Sequence, residues 1–418
     1  MPLTRWDETT PAERGNQGEV GTRSALVLAP IFLETRTASA SLAFAMFGKH
    51  QCTGKFSQRL GFGIPSAFAA ACLAFASAAE MEPIRISEDG GRFVMKGSGK
   101  PFTPWGFNYL GEADTLMEDN WAENREGIEE DFRGMKELGA NVVRVHLQLP
   151  TYLSASDKTR PEQLARLRKL LDLAREQGLY LDITGLGLYR LADVPPWLDK
   201  LSEQDRWAAQ AFFWEAVAET CAGHPAVFCY SLINEPVITE PKEGEHPWLA
   251  GELGGFHFVQ RIANKMDGRT QPEIAAAWVG KMKTAIRGKD AESLITVGVI
   301  PWAQIWPGAK PVFYSPEAAR HLDFVSVHFY PQTGKVKEAL VALKVYDIGK
   351  PIVVEETYPL SCSLAELKEF MDGAEGIADG WISHYFGKSI GEHRKDADLK
   401  GAIMADFLEF WSKRAPGF

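Results

Sequence analysis

Cysteine is scarce in this chain, with five in 418 residues. Only Cys221, Cys229 and Cys362 lie beyond residue 79. Three cysteines cannot all pair, so no disulfide framework is implied. Their spacing fits no zinc pattern, and no His-x-His pair occurs to serve a metal-dependent barrel hydrolase. Basic runs are also missing. With a formal net charge of -10 and no Lys/Arg face, nucleic acid is excluded as a partner. No glycine-rich phosphate loop follows the first predicted strand, which argues against a nucleotide-binding fold. No apolar run reaches the ~20 residues a spanning helix needs, and no low-complexity tract interrupts the chain.

What is present is an ordinary globular composition, 45% hydrophobic and 24% charged, long enough for a large core. The first 79 residues differ from the rest. Lys55 and Arg59 precede an apolar run from Leu60 to Ala76, broken by Pro65 and closed by Ala76-Ser77-Ala78-Ala79. Basic, apolar and small-residue regions in that order make a secretory signal peptide. Met46 is placed to begin it. The expected organisation is therefore an upstream extension over 1–45, a signal peptide over 46–79, and one domain over 80–418. The protein is then secreted or periplasmic. The alternative is an uncleaved membrane anchor through 60–76.

From residue 84 onward, short apolar runs alternate with helical patterns. "IRISEDGGRFVMKGSGKPF" reads as a hairpin around Asp89-Gly90-Gly91. "NREGIEEDFRGMKELG" and "RPEQLARLRKLLDLAREQG" read as helices closed by Gly139 and Gly178, the second opened by Pro161. Eight strand-like runs are found, ending in "TPWGFNYLG", "ANVVRVHLQLP", "LYLDITGLGLY", "AVFCYSLINEP", "LITVGVIPW", "DFVSVHFYP", "PIVVEETYP" and "IADGWISHYFG". Strands alternating with helices imply a parallel sheet, and eight repeats fit a closed (β/α)8 TIM barrel. The fold expected is that barrel with an N-terminal β-hairpin and a long, irregular insertion after strand 4, Val237 to Thr270. Loops of that length inside a domain are usually functional.

Polar residues recur at the carboxyl ends of these strands. They are Asn108 and Tyr109, Arg144 and His146, Asn234 and Glu235, Ser326, His328 and Tyr330, Glu355 and Glu356, and Trp381. A buried strand gains nothing from an unpaired carboxylate. The rim of a parallel barrel is where catalytic groups collect. Two carboxylates on different strands, with Arg, His and Tyr around them, suit glycosidic bond hydrolysis, in which one carboxyl donates a proton and the other attacks. Arg144 favours an ionised partner. Trp302, Trp306 and Trp381 offer flat faces for sugar rings. No metal or cofactor is called for.

The runs "NVVRVHLQLP", "YSLINEP", "VSVHFYP", "KPIVVEET" and "GWISHYFG" resemble glycoside hydrolase family 5, the cellulase and mannanase family of retaining (β/α)8 hydrolases. The resemblance implies that Glu235 is the acid/base and that Asn234 binds the sugar 2-hydroxyl. It implies that Arg144 and Tyr330 hold the nucleophile, that His328 lines the cleft and that Trp381 floors the sugar. It also implies a cis peptide between Trp381 and Ile382. Strand alternation admits only one of Glu355 and Glu356 to the barrel mouth without saying which. The family's spacing from Pro351 selects Glu356 as nucleophile, ~5–5.5 Å from Glu235. One departure stands out: the third strand carries Asp182 and Thr184 where the family often has a histidine. Asn108, His146 and Trp302 complete the expected substrate-binding set.

The function expected is a secreted retaining hydrolase of a β-linked glucan, mannan or derived oligosaccharide, acting as a monomer. A transglycosylase would share every one of these residues. An inactive carbohydrate-binding protein would keep the tryptophans and lose a carboxylate, yet both are present.

Overall fold

The computed structural model describes residues 81–110, 115–121, 124–384, 386–396 and 398–416. The expected extension and signal peptide lie outside the described residues. Eight parallel strands close into a barrel in chain order, the fourth pairing with the fifth to complete the ring. They are β1 (Trp105–Tyr109), β2 (Val142–Gln148), β3 (Tyr180–Gly187), β4 (Val227–Asn234), β5 (Leu294–Val299), β6 (Val325–His328), β7 (Ile352–Thr357) and β8 (Gly380–Ser383). Every residue of these strands is buried. Helices cover the outer face and side chains fill the inner one, so the strands read as apolar runs.

The longer helices are α1 (Arg125–Glu137), α2 (Pro161–Glu176), α3 (Glu203–Cys221), α4 (Gln271–Arg287), α5 (Val336–Lys344), α6 (Leu364–Gly373) and α7 (Leu399–Lys413). Five of these seven starts carry a side-chain cap. Asn124 and Ser202 accept from the third helical N–H, and Thr270/Glu273 and Ser363/Glu366 form reciprocal capping boxes. Gly139 and Gly178, at φ 88° and 65°, end the first two helices as the sequence implies. After β5 only the short helices Trp302–Ile305 and Pro316–Ala319 form.

The N-terminal hairpin is present: Ile84–Ile86 pairs antiparallel with Phe93–Met95, and Pro101–Phe102 adds a third strand. Ile84, Phe93 and Phe102 pack against Val142, Phe228, Phe324 and Val353, residues in or just before the amino ends of the barrel strands. This plug closes the amino end of the barrel and leaves the carboxyl end for chemistry. The insertion after β4 is more ordered than expected. Pro236–Ile238, Val259–Ala263 and Leu249–Ala250 form a three-stranded sheet with the middle segment central. Pro236 ends β4 by starting this second sheet. Among the described residues no helix is long and apolar enough to cross a membrane.

Candidate active site

Two irregularities in the barrel decide the site. Between β4 and β5, Ser231 pairs with Thr296 but Asn234 pairs with Gly298, so β4 carries one extra residue. Glu235 then adopts φ 46°, a left-handed conformation that costs a non-glycine residue free energy, and its N–H donates to the Gly298 carbonyl at 2.9 Å. The second bulge lies on β7. Val354 pairs with Val327 and Glu356 pairs with His328, leaving Glu355 unopposed. A bulge re-aims side chains. Both Glu355 and Glu356 consequently turn inward, which corrects the expectation that only one of them enters the barrel.

The two glutamates sit at different depths. Glu355 is 0% exposed, whereas Glu356 and Glu235 are 7% and 5% exposed at the barrel mouth. Arg144 reaches both β7 carboxylates, Nη1 to Glu356 Oε1 at 2.8 Å and Nη2 to Glu355 Oε2 at 3.3 Å. Its other donors go to Thr184 Oγ1 at 2.8 Å, Asn108 Oδ1 at 2.9 Å and Asn234 Oδ1 at 3.0 Å. The planar guanidinium thus arranges five acceptors at once. Tyr330 donates its hydroxyl to Glu356 Oε2 at 2.6 Å and lies 2.8 Å from His384 Nδ1.

His328 stands between the three glutamates. Nδ1 is 3.0 Å from Glu235 Oε1 and 3.5 Å from Glu356 Oε1, and Nε2 is 3.2 Å from Glu355 Oε2. Gly298 makes room for them. A Cβ there would stand 2.1 Å from Glu355 Oε2 and 2.6 Å from His328 Nε2. Burial alone would strip the proton from His328. Glu356, with hydrogen bonds to Glu235 and Glu355, outweighs it and holds the imidazole protonated up to about 9. Burial likewise works against ionising Glu356, but His328, His384 and Arg144 hold it well below the usual carboxylate range. Glu356 is therefore a ready anion. Glu235, Glu356 and His328 bring donor atoms within 4.8 Å of one another. Those donors are already engaged by Arg144, Tyr330 and each other, so the cluster is assigned no metal.

Asn108 fixes the remaining network. Its amide nitrogen donates to the carbonyls of Glu355 and Ser383, both at 2.9 Å, which orients its oxygen toward Arg144 and His146 Nε2 at 3.0 Å. His146 must then donate from Nε2, and its Nδ1 accepts from Tyr189 at 2.7 Å. Burial beside Arg144 keeps this imidazole neutral. Asn234 donates to the Phe258 carbonyl at 3.0 Å. The walls above the carboxylates are Asn108, Leu110, His146, Asn234, Phe258 and His384. A larger recess of ≈ 470 Å³ opens nearby, lined by residues such as Leu116, Gln148, Arg190 and Trp197, but it holds neither Glu235 nor Glu356.

Two expected platforms are placed elsewhere. Trp381 turns outward, 8% exposed, with its ring edge-on to Phe370 of α6 at 5.8 Å. The alternation of β8 instead sends Ile382 and His384 inward. The Trp381–Ile382 peptide is not cis; both residues are regular ladder partners of Trp105 and Gly106, and a cis bond would break that pairing. Trp302 is half-buried, stacked on Trp306 at 5.5 Å, and is not among the residues walling the space over the carboxylates. Gln304 ties this short helix to the Tyr330 carbonyl at 2.9 Å. Tyr189, Phe258 and His384 join the site although strand-end reading did not select them. Tyr189 ends the third-strand run and fills the side where a histidine was missing. Period two from Ile382 points to His384. Phe258 lies in the insertion and gave no signal.

No curated protein matches the chain. Solved structures share the fold at low identity. An exo-β-1,4-mannosidase from Opitutaceae bacterium strain TAV5 matches at 18% identity and TM-score 0.58, covering 79% of this chain and 61% of that one. The chain thus spans less than two thirds of that mannosidase. A β-1,4-D-mannanase from Cryptopygus antarcticus matches at 14% and 0.55, covering 78% and 94%. The catalytic domain of a Thermobifida fusca endoglucanase matches at 14% and 0.52, covering 80% and 97%. The family model described as cellulase (glycosyl hydrolase family 5) matches residues 95–357. That span is more than half of the chain and carries every strand from β1 to β7, with Glu235 inside it and Glu356 near its end; the protein belongs to glycoside hydrolase family 5.

Proposed function

We propose that the protein is a retaining β-glycosidase that cleaves a β-linked glucan, mannan or derived oligosaccharide by double displacement. The observation that carries this reading is the approach of Glu235 and Glu356, whose oxygens lie within 4.8 Å with one His328 nitrogen between them. That gap leaves no room for a water to attack the sugar directly. In the first step Glu356 attacks the anomeric carbon while Glu235 protonates the departing glycosidic oxygen. The bond to the leaving group breaks and a glycosyl ester on Glu356 forms. In the second step Glu235 takes a proton from water, which attacks the same carbon and frees the Glu356 carboxylate.

Closure of one wall by the insertion supports action on short chains or chain ends. Phe258 packs on Tyr189 at 5.0 Å and on Phe256 at 5.7 Å, and its carbonyl is bound to Asn234. The likeness to a mannosidase and mannanases makes β-mannosides the first substrates to try, beside β-glucosides. The signal-like order of residues 46–79 supports export, checked by N-terminal sequencing of the protein outside the cell.

The deciding experiment is a 2-fluoro glycoside trap followed by peptide mapping, with NMR of the product anomer. Label on Glu356 and a product of retained configuration are expected. Label on Glu355, or inversion, sinks the reading. Product analysis at high acceptor concentration separates hydrolysis from transglycosylation.

A further inference from the structure

Beneath the reacting carboxylates the barrel holds acids that double displacement does not use. Glu355 is fully buried, and so is Asp182 on β3. The two carboxyls are neighbours that perturb one another, and both Asp182 oxygens and Glu355 Oε1 are otherwise without a hydrogen-bond partner. A pair of buried carboxyls so placed shares one proton. Burial and the Glu355 charge keep it on Asp182, while Arg144 and His328 overcome burial to keep Glu355 ionised. From Glu355 the chain continues to His328 at 3.2 Å and from His328 to Glu235 at 3.0 Å.

We propose that Glu355, backed by Asp182, is a positioning residue that acts through His328 to leave Glu235 free to serve as base in the second half of the reaction. The inference rests on the double-displacement reading. Before reaction, Arg144 and His328 balance Glu355 and Glu356, and Glu235 carries the catalytic proton. The first step gives that proton to the leaving group and turns the Glu356 anion into a neutral ester. One proton then remains between His328 and Glu235. Glu355 is the anion still facing His328 and keeps the proton there, so Glu235 is left as the carboxylate that water needs. Without the Glu355 charge the proton returns to Glu235 and the base is lost.

The other groups facing His328 do not substitute for it. Glu356 is neutral in that state. From β2, Arg144 is positive and His146 neutral. His384, beyond β8, reaches the centre by way of Glu356 and Tyr330. Tyr330 is spent on Glu356, and β5 contributes only Gly298.

The test uses full-length protein labelled with ¹⁵N-histidine, with the His328 signal assigned by its loss in H328Q. In the free wild-type enzyme His328 is expected to titrate near 9. Glu355→Gln is expected to lower that by about one unit or more, as loss of one near anion does. Asp182→Asn, which keeps an N–H toward Glu355, is expected to leave it near the wild-type position. An unshifted His328 in E355Q overturns the proposal, and a shift in D182N equal to that of E355Q overturns the part given to Asp182. These titrations need no substrate, so they are independent of the catalytic reading. With a dinitrophenyl glycoside, whose second step limits kcat, E355Q should lower kcat at least about tenfold and kcat/KM far less. Equal losses in both would mark Glu355 as merely structural. Should E355Q not fold, the trapped glycosyl-enzyme of the wild type decides: His328 must remain protonated at neutral pH there, and a neutral ring refutes the role.

Discussion

Replacing Arg144 by lysine keeps the positive charge and most of the length, yet the structure makes it a severe change. Arg144 donates to Thr184, Asn108, Asn234 and Glu356 from a rigid planar fork, pairs with Glu355 at 3.3 Å, and is fully buried. An ammonium has three donors around one point and cannot span these acceptors. At least two of the five contacts must fail, one of them to a carboxylate. A neutral hydrogen bond lost is about 1 kcal/mol and a charge-assisted one about 1.5–3 kcal/mol. The combined loss of about 2.5–4 kcal/mol falls on groups that hold the nucleophile, so kcat/KM should drop by about 10²–10³ at 1.4 kcal/mol per decade. The assay is kcat/KM on an aryl β-glycoside, with thermal unfolding in parallel. The conclusion fails if R144K retains kcat/KM within fivefold of the wild type, because the five contacts then do not organise the reacting groups.

His328 makes stability pH-dependent. Its folded value is raised to about 9, so its contribution is complete below the unfolded histidine value of about 6.5 and is lost as pH rises through about 9. The urea midpoint should fall across that window by up to about 3 kcal/mol in ΔG, and H328Q should flatten the slope. Gly298→Ala places a methyl among Glu355, His328 and Arg144. It should cost about 1–3 kcal/mol of stability and lower kcat/KM with it, measured by unfolding and by turnover. Trp381→Ala empties a position packed on α6 and should destabilise by about 3–5 kcal/mol. Trp381→Phe should keep kcat/KM within about threefold, against its place as a sugar floor.

The barrel was legible because its strands are buried on both faces. Runs such as "VFCYSLIN" and "PIVVEET" open with apolar residues and are followed by Pro or helical patterns, so their number and order could be counted. The insertion was not legible for the opposite reason. Its strands are two to five residues long, and a segment such as "VQRIA" carries Gln260 and Arg261, buried by local contacts that no periodicity announces. Arg261, for instance, donates to the carbonyls of His246 and Leu249, and that pins the sheet. Phe258 reaches the site only because this small sheet exists.

The site was legible as a set of residue types and obscure in its aim. Period two gives the inward face of a regular strand, and it serves for Arg144 and His146 and for Ile382 and His384. It fails where the catalytic carboxylates are. An ideal barrel strand offers every second residue to the interior, so it cannot direct two neighbouring side chains into one centre. Asn234 with Glu235, and Glu355 with Glu356, are such neighbours. The bulge before Asn234 and the bulge at Glu355 supply what alternation forbids, at the cost of a left-handed Glu235 and a bare Gly298 between them. Neither bulge has a sequence mark of its own, because each arises from the register of two strands far apart in the chain. What the sequence does carry is their consequence: an amide beside an acid at the end of one buried strand, and two acids side by side at the end of another. A hydrophobic interior tolerates such pairs only where opposite charge meets them, and Arg144 and His328 meet both.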